Sequence, residues 1–147
     1  MADEKITKNE VEKRIEDWEK RLKDFFAFIK EWLKLIPSYT TKEDSETIMY
    51  EEMMQTFGIP SRKIKILDIY RNEELIASVK PKGLWIIGAN GRIDILLKDK
   101  AISFIDNAEK YHTPNWVSFL KSNKSKGFSF NKTSFFEILG IKENGNI

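Results

Sequence analysis

The chain contains no cysteine. That excludes disulfides and thiol nucleophiles, and it removes the commonest ligand of structural zinc. There is one histidine, His112, and a lone imidazole without thiols cannot build a histidine-rich metal site. No apolar run approaches the roughly 20 residues needed to span a bilayer. The opening MADEKITKNE is charged and lacks the apolar core of a signal peptide. The sequons at Asn123 and Asn131 therefore read as chance matches. Nucleotide and hydrolase motifs are missing as well: there is no GxGxxG and no GxSxG. Gly83 and Gly88 have the spacing of the first two Walker glycines, but Ala89 and Asn90 stand where Lys and Ser/Thr are needed. No internal repeat or low-complexity segment is present. These absences predict no cofactor, no metal, no membrane partner and a cytoplasmic location.

The 147 residues are 41% apolar and 33% charged, a globular composition that fits one domain spanning 1–147. Charge is uneven. Residues 1–59 carry 10 Lys/Arg and 14 Asp/Glu, whereas residues 60–147 carry 15 and 9. Such asymmetry marks either a basic binding face or two halves that attract each other.

The first element is a long amphipathic helix within residues 1–36. Thr7 and Glu10 have capping-box spacing, and Pro37 disfavours helical geometry at Ile36. Val11, Ile15, Trp18, Leu22, Phe25, Ile29, Trp32 and Ile36 form an unbroken heptad stripe. On the other face Asp17 precedes Arg21 by four residues, a favourable surface pairing. The aromatic half of the stripe is expected to cover the protein's own sheet. The first half, with Val11, Ile15 and Trp18, is a candidate to project and pair with a partner. PSYTTKED reads as a polar connector, and a second helix is expected from about Ser45 to Phe57, closed by Gly58 and Pro60.

From Lys63 to Phe130 the period becomes strand-like, with turns at Arg71–Glu73 and Lys98–Lys100. Lys80–Gly83 contains Pro81 and is expected to break the ladder. A final helix follows Asn131 and ends at Gly140. Helices followed by short strands with hairpin-length connections predict an α+β fold with an antiparallel meander of five or six strands.

The most apolar stretch is GLWIIGANGRIDILL, from Gly83 to Leu97. Asn90-Gly91 is the preferred pair for a two-residue type I′ turn. A hairpin about it would set Ile87 opposite Asp94, Ile86 opposite Ile95 and Leu84 opposite Leu97. One face would be core. The other, with Trp85, Arg92 and Asp94, would need cover from a helix or from a partner, and these residues are the first choice for a recognition surface.

Three functions follow from this inventory. The leading one is a non-catalytic interaction module, a small subunit or regulator that binds another protein or itself through the long helix and a sheet face. The second is a nucleic-acid-binding domain in the basic back half. There Lys121, Lys124, Lys126 and Lys132 accompany Trp116, Phe119, Phe128 and Phe130, the combination that takes phosphates and stacks on bases. The third is a small enzyme using His112, with Asp106 or Glu109 near it in sequence, or Arg92 with Asp94.

Overall fold

The computed structural model describes residues 6–119 and 127–142. Helix α1 runs from Lys8 to Leu33, about 39 Å at 1.5 Å per residue. It starts where the Thr7 side chain accepts the Glu10 backbone N–H. It ends at Leu33, short of the limit that Pro37 sets at Ile36, with Lys34 at the C-cap. The stripe from Val11 to Ile29 is buried along its whole length. The N-terminal half therefore does not project: Val11, Ile15 and Trp18 are 2%, 0% and 1% exposed. The heptad spacing reports a helix lying lengthwise on a sheet, which buries one narrow stripe just as a partner helix would.

The sheet has seven antiparallel strands in sequential order. They are β1 (Tyr39–Met49), β2 (Arg62–Arg71), β3 (Glu74–Gly83), β4 (Arg92–Leu97), β5 (Ala101–Asp106), β6 (Trp116–Phe119) and β7 (Gly127–Ser129). A five-residue helix α2 (Glu52–Thr56) follows β1, and α3 (Lys132–Leu139) follows β7. The α+β meander is as expected, but the sheet starts at Tyr39 rather than Lys63. The helix expected over Ser45–Phe57 holds only over Glu52–Thr56, as α2, while Ser45–Met49 is the end of the edge strand β1, which also takes in most of the expected polar connector. Its glutamates and methionines favour helix locally, but β1 pairs with β2 from Tyr39↔Arg71 to Met49↔Arg62, and long-range pairing overrides that preference. The register shifts between Lys42 and Ser45, at Glu43-Asp44. A charged bulge there discourages another strand from adding to the open edge.

Two turns exchange roles. The two-residue turn with positive φ at both positions is Asn72 (49°) and Glu73 (71°), between β2 and β3. The hairpin expected at Asn90-Gly91 is absent. Strand β4 pairs instead with β3, which continues through the stretch expected to break the ladder: Ile93 faces Pro81 and Asp94 faces Lys80, while Ile95 faces Val79 and Leu97 faces Ala77 in the strand before it. Pro81 is tolerated because pairing of β2 with β3 stops at Leu67↔Val79, so no ladder bond to β2 is lost there. Residues 84–91 are left as a loop.

The core lies between α1 and the inner face of the sheet. Phe25 sits at its centre, stacked on Phe130 at 3.9 Å and edge-on to Trp116 at 5.3 Å between ring centroids. Helix α3 closes one end. Asn131 and Ser134 form a capping box, Gly140 takes a left-handed φ of 78°, and Phe135 is fully buried. No helix among the described residues is long and apolar enough to cross a membrane.

Candidate functional site

The loop over residues 84–91 is apolar, yet it is held mainly by polar side chains. At its start Leu84 is fully buried. The Glu51 carboxylate accepts the backbone N–H groups of Leu84 and Trp85 at 2.9 and 3.0 Å. Glu51 stands at the N-cap of α2 but makes no side-chain cap bond there, because its carboxylate is committed to the loop. The tip is a tight turn: the Ala89 N–H donates to the Ile86 carbonyl at 3.1 Å, and Gly88 supplies φ +78°. Ile87, at the turn's first inner position, is 103% exposed.

The end of the loop is tied to α1 and β5. The Asn90 N–H donates to the Asp106 carbonyl at 2.7 Å, and the Asp106 N–H donates to the Gly91 carbonyl at 3.1 Å. Arg14 donates to Asn90 Oδ1 at 2.8 Å, and Arg21 Nη1 donates to the Asn90 carbonyl at 2.6 Å. Arg21 also reaches Asp17 at 2.7 Å and Asp106 at 3.0 Å. Arg21 is 3% exposed and Asp106 0%. Two buried charges cost several kcal/mol each to desolvate, on the order of what one good pairing returns. Here the remaining carboxylate lone pairs are also used, as Asp106 Oδ1 accepts the N–H groups of Ala108 and Asn115 at 3.0 and 2.9 Å. The Arg14 guanidinium lies 5.9 Å from the Trp85 ring centroid, and burial lowers its pKa from the ordinary arginine value. Beneath this network Gly91 touches Trp18: a Cβ there would stand 2.3 Å from the indole Cζ3.

The sequence candidates are dispersed. Trp85 is half-buried and packs on the core. Arg92 and Asp94 bond each other through two contacts, 2.9 and 3.1 Å. Asp94 is 4% exposed, and that bond raises the Arg92 pKa above its ordinary value. The two charges are thus paired with each other. Trp116 is 8% exposed within the aromatic core, so it is no stacking platform for bases. Phe128 and Phe130 pack against the same core. Lys132 is exposed with its ammonium 5.5 Å from the Phe136 ring centroid. Lys121, Lys124 and Lys126 lie outside the described residues. His112 is exposed, 3.6 Å from Glu109, whereas Asp106 is engaged by Arg21. Among the described residues no three His, Asp or Glu side chains come together in a way that could hold a metal ion.

Arg14 and Glu51 were missed by sequence reasoning, and Arg21, Asn90 and Asp106 were read in other roles: Arg21 as a surface partner of Asp17, whereas that pair forms with Arg21 buried, Asn90 as a hairpin turn residue, and Asp106 as a carboxylate near His112. A signal for Arg21 exists. It lies three residues after Trp18 and four before Phe25, on the flank of the buried stripe, where a charge needs a partner. Asp106 and Asn90 have no local signal for these contacts, because their shared partner, Arg21, lies 85 and 69 residues away in sequence.

Compared with protein-family models, with curated proteins and with solved structures, the chain matches none.

Proposed function

We propose that the protein is a non-catalytic interaction module, a small cytoplasmic subunit or regulator, and that its partner is a protein docking at the end of the sheet that carries the 84–91 loop. The observation that supports this reading is Ile87, fully exposed at the tip of a loop anchored at both ends. An apolar side chain on a pre-ordered turn loses little conformational entropy on binding, so more of its burial appears as affinity. The surroundings suit the same use. Ile48 and Tyr50 are 61% and 51% exposed, and both line a cleft of about 280 Å³ with Lys80, Pro81 and Gly83. Ile86 packs on Gly83 at that cleft's edge, its Cδ1 3.3 Å from where a Cβ would be. Relative to the sequence expectation, the docking element moves from the stripe of α1, which is consumed by the core, to this loop.

The test is a photo-crosslinking amino acid placed at position 87, with position 99 as control, in the native cell. Asp99 is exposed in the β4–β5 turn. A discrete protein adduct at 87, absent at 99 and lost when Ile48 is changed to Asp, is the expected result. Equal labelling from both positions, or adducts with nucleic acid alone, refutes the proposal.

A further inference from the structure

A second surface, lined by α1 and the segment after β5, has its own chemistry. A groove of about 580 Å³ runs between α1 and the segment 111–116, with Phe25, Trp116 and Phe130 at its base. Asp24, Phe28 and Trp32 follow each other at four-residue intervals along the helix and all line it. Phe28 is 54% exposed. Its ring stacks on Trp32 at 5.9 Å and 15°, so the two make one nearly continuous aromatic face. Trp32 is itself held by Phe130 and Phe135, at 5.2 and 5.8 Å.

Asp17 and Arg21 are paired. Asp24 and Lys20 are exposed, and among the described residues neither has an oppositely charged group within 4.0 Å. An aromatic face attracts cations and not anions. A planar guanidinium can stack on it while its N–H fork reaches a carboxylate. We infer that this groove is a binding site for a polypeptide segment bearing a single arginine, whose guanidinium stacks on Phe28 and Trp32 and pairs with Asp24. Lys20, one turn before Asp24, repels a second cation, so the site selects one arginine and not a basic run. This inference stands on a different surface from Ile87 and does not depend on it.

The experiment follows the indole N–H signal of Trp32 by NMR in the full chain. The probes are the peptides acetyl-Gly-Leu-Arg-Gly-amide and acetyl-Gly-Leu-Glu-Gly-amide. The expected result is a saturable shift with the arginine peptide and none with the glutamate peptide. Asp24→Asn, an exposed substitution, weakens the binding about fivefold, the upper end for an exposed charge pair, and Phe28→Ala weakens it further. Equal shifts from both peptides overturn the inference. So does no saturation at millimolar arginine peptide, or undiminished binding by Asp24→Asn.

Discussion

Replacing Gly91 by alanine tests the packing of the loop on α1 at one methyl group. Gly91 has φ +125°, outside the small left-handed region that other residues can enter, and forcing an L-residue there costs about 1–3 kcal/mol. The new Cβ would also stand 2.3 Å from Trp18 Cζ3 and 3.0 Å from two further indole atoms. Trp18 is 1% exposed, with Trp116 at 6.3 Å and the Arg21 guanidinium at 5.2 Å from its ring. It has nowhere to go, and overpacking of this kind costs about 1–3 kcal/mol more. The sum is roughly 4 kcal/mol, a large share of the marginal stability of a folded domain. Gly88→Ala is the control. It shares a positive φ, +78°, but its Cβ meets nothing within 4 Å, so only a backbone cost of about 1–2 kcal/mol remains. Urea unfolding followed by tryptophan fluorescence measures both. With a slope near 2 kcal/mol per M, Gly91→Ala lowers the midpoint by about 2 M and Gly88→Ala by less than about 1 M. In a Trp18→Leu background the cost of Gly91→Ala falls toward that of Gly88→Ala, since the clash is gone. Midpoints for the two glycine variants within about 0.5 M of each other would show that the loop does not press on Trp18.

Arg21→Met leaves Asp106 charged, fully buried and without its cation, and takes one donor from the Asn90 carbonyl. The expected loss is about 3–5 kcal/mol, partly recovered by adding Asp106→Asn, and a loss under about 1 kcal/mol in denaturation would contradict the buried pair. Tyr111 has its pKa raised above 10.0, chiefly by desolvation. The folded state keeps the phenol proton after the unfolded chain has released it, so this contribution to stability is present below pH about 10 and is lost as pH rises through the folded value. A spectrophotometric titration in which Tyr111→Phe removes one tyrosine that ionises above the ordinary value is the expected result; a Tyr111 midpoint at or below the ordinary value would count against it.

How far the sequence was legible differs from element to element. Helices α1 and α3 were readable because their caps and their apolar spacing are local: Thr7 with Glu10, Asn131 with Gly140. The turn at Asn72 was readable too. Strand β1 was not, since what makes Tyr39–Met49 a strand is its pairing with β2, and its largely polar residues carry no apolar alternation of their own. The hairpin failed for a related reason. Asn90-Gly91 carries the strongest local turn signal in the chain, yet its two residues serve the interior. Asn90 is 4% exposed, the carbonyls of both accept hydrogen bonds, and Gly91 admits an indole. Of the candidate site, Trp85 pointed to the right loop, but nothing local to Glu51 or Asp106 tells where its carboxylate is spent.

The sequence by itself determined the inventory of chemistry, the two capped helices, the apolar stripe of α1 and an antiparallel meander. Each is set by contacts within a few residues or by composition. The tertiary structure decided what the stripe covers, which strands β4 pairs with and where the exposed apolar groups lie. The register of β4 could not come from its own pattern, because a shift by an even number of residues keeps the same face inward. It follows instead from the buried link of Arg21, Asp106 and Asn90 and from the contact of Gly91 with Trp18, which draw residues 84–91 out of the sheet and leave Ile87 at the tip.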